Sequence, residues 1–304
     1  MRTAWERFWF APEDPSNLAA ARVLLALQAL WILLSRDLPA LSALPFAFWV
    51  DVGPAARWRY LLWEGHPTVE AVLHALALGA LAGALLGIRA RACCAIAGLL
   101  LYHLAPLQTL FYTPSPWPKG LTLCVPGLIA LALSPCDRAL ALRPGRRPVA
   151  EWEQGWALRL VMFLVATPYL ASGWAKLVHG GWAWASSANI RGWLLLSNLD
   201  DQLAPFTTAG LWIADRPLLC LAMGITALVF DLVFVAAVFS RRARRVLVPA
   251  AFVFHGVIVF TQNYAFLSAP LLLVFVDWAA LARRLRRNEV QAPAARPAAW
   301  PHAS

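Results

Sequence analysis

Long apolar stretches alternate with short polar or arginine-rich segments along most of the chain. A helix that crosses a bilayer needs about 20 predominantly apolar residues, or fewer where polar positions face other helices. Eight stretches meet this criterion: 18–37, 68–88, 92–112, 120–135, 155–177, 217–239, 246–261 and 264–280. The fourth and the seventh are the weakest, because they are short and contain Pro126 or an early Pro249. The pattern predicts an all-α fold: a polytopic transmembrane helical bundle of about eight spans.

The composition agrees with a membrane protein. Hydrophobic residues make up 61% of the 304 residues and charged residues 14%, whereas soluble domains have about 45–50% and about 25%. A water-soluble fold of this length has no interior large enough to bury that much apolar surface. The 16 tryptophans support the same interpretation, because indole rings favour the boundary between lipid headgroups and hydrocarbon.

The positive charges are distributed unequally between the two sides of the predicted bundle. With eight spans, 17 of them share the side of both termini: Arg2, Arg7, Arg89, Arg91, Arg138, Arg143, Arg146, Arg147, Arg241, Arg242, Arg244, Arg245, Arg283, Arg284, Arg286, Arg287 and Arg296. Six lie on the other side: Arg36, Arg57, Arg59, Lys119, Arg191 and Arg216. Because positive residues accumulate in cytoplasmic loops, both termini are predicted to be cytoplasmic. The net charge of +10 is therefore attributed to topology in a bacterial inner (plasma) membrane, with lipid and not nucleic acid as the partner.

The chain divides into three predicted regions. Residues 1–17 form an interfacial N-terminal segment, with a short aromatic helix that Pro12 ends. Residues 18–282 form the transmembrane domain, and residues 283–304 form a basic, Ala- and Pro-rich cytoplasmic tail. The tryptophan-rich segment 178–216 is predicted to lie on the outer leaflet as short interfacial helices or a lid.

Ionisable residues inside a bilayer are costly, so each one in an apolar stretch is a candidate site residue. Glu70 and His74 share a helix face and are suited either to a proton relay or to hydrogen bonds with another helix. Asp231 needs a positively charged partner, and Arg22 and Arg159 are the candidates. The resulting ion pair is either functional or purely structural. The full set is Arg22, Glu70, His74, His103, Arg159, Lys176, Asp231, His255 and Asp277.

The sequence predicts neither a metal site nor a soluble enzyme. His103 and His255 lack the spacing of zinc ligands, so they are either isolated ligands or hydrogen-bonded interior histidines. The five cysteines lack CxxC spacing and are interpreted as small buried hydrophobes. No P-loop, GxSxG or GxGxxG motif occurs, which argues against a soluble hydrolase or a nucleotide enzyme.

Lys176 is the strongest candidate for chemistry. The chain contains 24 arginines and only two lysines, and a lysine can lose its proton when desolvated whereas a guanidinium cannot. On a helix, Tyr169, Ser172, Gly173 and Lys176 share one face, and Gly173 leaves room for a ligand or a neighbouring helix. The alternative is that Lys176 only extends towards the outer headgroups.

The residues around Lys176 resemble a known motif. Tyr169 to Leu177 read YLASGWAKL and are followed by Trp182, which is similar to the Y-x-x-A-G-x-x-K-L…W motif of the HTTM family. That family includes the membrane domain of vitamin K-dependent gamma-carboxylase. Further similar segments follow the family's order across residues 10–280: DPSNL from Asp14 with Arg22, GIRAR from Gly87, FDL around Asp231, and FH at His255 with QN at Gln262.

The resemblance implies quinone chemistry in the membrane. In the carboxylase the matching lysine is regarded as the base that deprotonates vitamin K hydroquinone, so Lys176 is the implied catalytic base. The implied cofactor is a quinone, either menaquinone or vitamin K hydroquinone. Its implied site consists of Tyr169, Ser172, Gly173, His179, Trp182, Asp231 and His255.

Two departures from the carboxylase argue against glutamate carboxylation. Its W-N-N-H segment before the fourth span corresponds here to WPKG at 117–120, so its catalytic histidine is missing. Its large luminal domain for the glutamyl substrate has no counterpart in this sequence. The predicted function is therefore that of a bacterial inner-membrane HTTM-domain protein with carboxylase-like quinone chemistry. The alternative is a non-catalytic scaffold, maturation or immunity component that acts through a membrane or periplasmic protein partner.

Overall fold

The computed structural model describes residues 3–35, 40, 66–110, 117–145, 148–150, 152–199 and 206–291. The described residues form helices and turns, with no β-strand among them, which confirms the all-α prediction. The α-helices are α1 (Ala4–Trp9), α2 (Pro15–Leu34), α3 (Pro67–Leu86), α4 (Ala90–Leu110), α5 (Trp117–Leu133), α6 (Trp152–Gly180), α7 (Ser187–Leu199), α8 (Ala209–Ala214), α9 (Pro217–Val233), α10 (Ala236–Phe239), α11 (Arg241–Gln262) and α12 (Trp278–Gln291). Two 3-10 helices cover Gly181–Ala185 and Ala269–Phe275.

Within the described part of the chain, four helical segments are long and apolar enough to cross a membrane. They are α2, α3, α11 and the continuous stretch Trp152–Ala185, which contains α6. Helices α4, α5 and α9 contribute shorter apolar stretches. The length and apolarity of these helices are consistent with a membrane protein. The α-helices occupy seven of the eight stretches that the sequence predicted.

Neighbouring helices run antiparallel. The two ends of the bundle differ in their residues, one rich in arginine and the other in tryptophan. His74 Nε2 near the start of α3 lies 3.2 Å from the carbonyl oxygen of Leu33 at the end of α2. Arg91 at the start of α4 donates from Nε to the carbonyl oxygen of Ala132 at the end of α5, at 3.1 Å. We call the end at which α2, α6 and α11 begin the arginine-rich end. The opposite end, where α6 and α11 stop and α7 and α8 lie, is the tryptophan-rich end.

The predicted eighth span, 264–280, does not form a long α-helix. Asn263 ends α11 in the left-handed conformation, with φ of 53°, and the chain returns through the 3-10 helix Ala269–Phe275 to Asp277. Asp277 lies at the opposite end of α11, where Asn17 Nδ2 donates to its Oδ1 at 3.3 Å. The return segment is buried against α2, α6 and α11, and irregular backbone is tolerated at membrane depth where protein surrounds it.

Helix α2 lies in the centre of the main hydrophobic core. Its Arg22 side chain is fully buried, and the guanidinium donates to the backbone carbonyl oxygens of Cys136, at 2.7 Å, and Leu140. These bonds hold the turn that follows α5 against the core. The suggested pair of Arg22 with Asp231 is not formed: Nη1 and Nη2 of Arg22 donate to backbone carbonyls, which also need partners in an apolar interior, and Asp231 pairs with Lys176.

The N-terminal segment and α12 meet at the arginine-rich end. Helix α1 forms as predicted and is fixed by a capping box between Thr3 and Glu6. Helix α12 packs beside the start of α2, where the amide of Ala279 donates to Asn17 Oδ1 at 3.1 Å. It continues without a break through the predicted domain boundary at 282. Residues 292–304 of the predicted tail, and Arg36, Arg57 and Arg59 of the charge count, lie outside the described residues.

Candidate functional site

An ion pair between α6 and α9 forms the centre of the candidate site. Lys176 Nζ lies 2.5 Å from Asp231 Oδ2, and the two side chains are 20% and 4% exposed. Lys176 lies 17 positions after Arg159, so the pair lies about 26 Å along α6 from Arg159, on the side away from the arginine-rich end. The partner predicted for Asp231 was an arginine, and the structure corrects it to Lys176.

Gly173 and Ser172 explain why α6 and α9 approach closely at this point. A Cβ atom at Gly173 would lie 3.0 Å from the Cβ of Asp231 and from two side-chain atoms of Leu232. The space that Gly173 leaves is thus occupied by α9. The side chain of Ser172 lies close enough to hydrogen-bond with the Asp231 carboxylate. The carboxylate therefore has two polar neighbours, both from α6.

The aromatic neighbour of the lysine is Trp184. Lys176 Nζ lies 4.3 Å from the centroid of the Trp184 ring, a cation–π contact. Trp182, which the family motif implied, is 75% exposed, and His179 is also exposed. The structure therefore does not place either residue against the ion pair.

The sequence analysis did not single out Trp184, although a local signal for it exists. Helix α6 ends at Gly180, and Gly181 adopts a positive φ of 54°, a conformation that glycine takes readily. The chain therefore turns at this point and the next residues form the 3-10 helix Gly181–Ala185. Two adjacent glycines after a helical motif predict such a turn, and a residue beyond the turn can contact one before it.

A second polar pair lies beside the first. Tyr169, two turns before Lys176 on the same face of α6, has its hydroxyl 2.5 Å from Nε2 of His255 in α11. His255 is 8% exposed, and its Nδ1 atom has no hydrogen-bond partner among the described residues. Phenylalanine rings surround the pair: the Tyr169 and Phe234 centroids are 4.3 Å apart, and Phe266 lies 4.9 Å from His255.

The two pairs together can hold and move protons. Lys176 donates to Asp231, with Ser172 beside the carboxylate, and Tyr169 with His255 provides a hydroxyl and an imidazole on the same side of α6. A buried ring nitrogen without a partner, His255 Nδ1, is a position at which a ligand oxygen could bind. Within the described residues no group of three or more His, Cys, Asp or Glu side chains is suited to hold a metal ion.

The other predicted ionisable residues form separate structural pairs. Glu70 is fully buried, and its Oε1 lies 2.9 Å from His103 Nε2 in α4, so it bridges two helices. His74 contacts Leu33, and the intrahelical relay between Glu70 and His74 is not formed. Arg159 binds Glu13 at 3.2 Å and the carbonyl oxygens of Trp9 and Ala11.

Comparison of the chain with protein-family models, with curated proteins and with solved structures found no match.

Proposed function

We propose that this chain is a bacterial inner-membrane protein of the HTTM type, in which Lys176 and Asp231 exchange a proton with a quinol-like lipid. The observation that carries the proposal is the 2.5 Å contact between Lys176 Nζ and Asp231 Oδ2 inside an apolar bundle. Ionisable residues at such positions pair with one another and often mark proton pathways. The motif around Lys176 supplies the proposed ligand class.

The chemistry starts from the protonation state of the pair. When a bound quinol excludes water from the ion pair, a proton passes from Lys176 Nζ to Asp231 Oδ2 across the 2.5 Å contact. The neutral amine then accepts a proton from a quinol hydroxyl, which leaves an ammonium and a quinolate. The Trp184 ring, 4.3 Å from Nζ, stabilises the ammonium formed.

The second pair is proposed to position the ligand. His255 Nδ1 has no partner among the described residues, and it lies in an aromatic environment that suits a flat quinone ring. Tyr169 fixes the orientation of His255 through Nε2. Glutamate carboxylation is not part of the proposal, because the segment 117–120 lacks the carboxylase histidine.

The proposed topology has eight crossings and both termini in the cytoplasm. The N-terminal segment and α12 lie at the same end of the bundle, where Arg283 Nη1 is 3.2 Å from Asp14 Oδ2. The return segment after Asn263 provides the eighth crossing in irregular form. The arginine-rich end then faces the cytoplasm, in keeping with the positive-inside rule.

The decisive experiment combines lipid analysis with turnover. The purified protein is expected to retain menaquinone, detected by mass spectrometry of its lipid extract, and to consume oxygen when supplied with vitamin K hydroquinone. Lys176→Arg keeps the cation but cannot act as a base, so it should abolish oxygen consumption. Thr167→Val is the matched control on α6, because Thr167 is exposed and, among the described residues, its hydroxyl donates only to the carbonyl oxygen of Phe163 in the same helix.

A second candidate function is a non-catalytic scaffold that acts through another membrane or periplasmic protein. It is favoured by the pairing of Lys176 with Asp231 and by close aromatic packing: the rings of Phe230 and Phe234 contact Tyr169, and Phe254 stacks on Phe230. On this alternative both polar pairs only hold α6, α9 and α11 together. Absence of a co-purifying quinone, together with unchanged cellular phenotypes of Lys176→Arg and Lys176→Ala, would reject the proton-transfer site in favour of the scaffold.

A further inference from the structure

A cavity of about 310 Å³ lies at the arginine-rich end, at the far end of α6 and α11 from the Lys176 site. Three arginines from the first turns of α11 line it: Arg241, Arg244 and Arg245. Its remaining polar lining comes from the start of α2 and from Asp277, and its apolar lining from α6, α11 and the 3-10 helix Ala269–Phe275. The cavity is thus polar and basic on one side and apolar on the other.

The carboxylates in the cavity already have partners. Glu13 Oε1 is bound by Arg159 at 3.2 Å. Asp277 Oδ1 accepts hydrogen bonds from Asn17 Nδ2 at 3.3 Å and from the amide of Ala280 at 3.0 Å. Both acids also lie close enough to attract arginines of α11, Glu13 to Arg244 and Asp277 to Arg241 and Arg244, but neither forms a direct hydrogen bond with them among the described residues.

The arginines retain unused hydrogen-bond donors. Arg244 donates from Nε and Nη2 to the carbonyl oxygens of Ala237 and Val238, which fixes its guanidinium at the cavity. Arg241 and Arg245 are exposed, and no hydrogen bond or ion pair of their side chains occurs among the described residues. Arg241 also lies close enough to Arg159 and Arg244 to repel them. The site has an excess of positive charge and of free donors.

We infer that this cavity binds the phosphate of an anionic phospholipid headgroup, with Arg241 and Arg245 as the main ligands. A guanidinium presents paired donors that match phosphate oxygens, and basic pockets between membrane helices on the cytoplasmic side suit anionic headgroups. The apolar side of the cavity favours a lipid over free phosphate, because it offers a surface for the start of an acyl chain. This inference rests on the proposed topology and does not depend on the chemistry at Lys176.

The test is native mass spectrometry of the delipidated full-length protein with added dioleoyl-phosphatidylglycerol or dioleoyl-phosphatidylcholine. Wild-type protein is expected to bind phosphatidylglycerol at least about tenfold more tightly than phosphatidylcholine. The double variant Arg241→Ala/Arg245→Ala should lose this preference. The control Arg242→Ala/Arg284→Ala removes the same charge from two exposed arginines that do not line the cavity, and it should bind within about twofold of wild type.

The variant Arg241→Lys/Arg245→Lys keeps the positive charge of both side chains. It therefore distinguishes loss of binding through loss of charge from loss of binding through misfolding. It should retain a clear preference for phosphatidylglycerol. Equal loss in the cavity variant and in the control would overturn the site, as would equal binding of the two lipids by wild-type protein. Displacement of phosphatidylglycerol by millimolar inorganic phosphate would overturn the lipid assignment and identify free phosphate as the occupant.

Discussion

Lys176 and Asp231 stabilise each other only as long as both are present. The carboxylate is 4% exposed, so neither water nor another cation among the described residues can replace the ammonium at 2.5 Å. Removing one partner of such a pair leaves a desolvated charge, which is the costly outcome, whereas removing both charges is cheaper. This asymmetry makes the pair testable at the level of single residues.

We therefore predict that Asp231→Asn lowers the free energy of unfolding by about 3 kcal/mol. The double variant Lys176→Met/Asp231→Leu should be more stable than Asp231→Asn, because no uncompensated charge remains. Thermal unfolding of the purified variants in detergent measures both effects. A double variant less stable than Asp231→Asn would show that the two charges do not interact as the structure indicates.

At the scale of the elements, glycines determine how closely α9 packs. A Cβ atom at Gly224 would lie 2.5 Å from the backbone oxygen of Ala185, the last residue of the 3-10 helix that carries Trp184. This contact involves rigid backbone on both sides. The position of Trp184 above Lys176 thus depends on the absence of a side chain at residue 224.

Gly224→Ala is expected to destabilise the protein by about 1–3 kcal/mol, because the backbone of the 3-10 helix must move. Gly256→Ala is the matched control: Gly256 is an exposed glycine within α11, and a Cβ there meets nothing within 4 Å. The control should be neutral or stabilising by up to about 1 kcal/mol, since alanine favours the helix. The melting temperatures of the two variants measure the difference, and equal values would contradict the close crossing.

The apolar pattern predicted where most helices lie, but it did not predict which apolar stretch would lack a regular α-helix. Seven predicted stretches contain α-helices, because an apolar run of this length in lipid must satisfy its own backbone. The stretch 264–280 carries the same signal, yet between α11 and the start of α12 at Trp278 it forms a 3-10 helix of 7 residues and no α-helix. Its neighbours α2, α6 and α11 enclose it, and enclosure is a tertiary property that hydropathy does not record.

At the scale of the whole molecule, the proposed topology predicts which surfaces reach each compartment. The five native cysteines are buried or half-buried, so they give a low background for thiol labelling. Exposed positions exist at both ends: Arg143 and Arg242 at the arginine-rich end, and Arg191 on α7. The nearby Gly145 is unsuitable for a labelling cysteine, because a Cβ there would lie 2.4 Å from a carboxylate oxygen of Asp137.

We expect a membrane-impermeant maleimide to label Arg191→Cys in intact spheroplasts. Arg143→Cys and Arg242→Cys should react only after the membrane is permeabilised. The three variants carry the same substitution, so differences in labelling report location alone. Labelling of all three from one side would refute the proposed topology.

The sequence by itself determined the helical class and the presence of apolar helices long enough to cross a membrane, because these depend on composition and on periodicity along the chain. It also singled out Lys176, Asp231 and His255 as residues too polar for their surroundings, and Tyr169 because it shares the helix face of Lys176. Only the tertiary structure decided their partners: Lys176 with Asp231, Tyr169 with His255, and Trp184 in place of Trp182. A lone ionisable residue in an apolar helix shows that a partner is needed, but helix crossing and the turn at Gly181 determine which residue comes within reach.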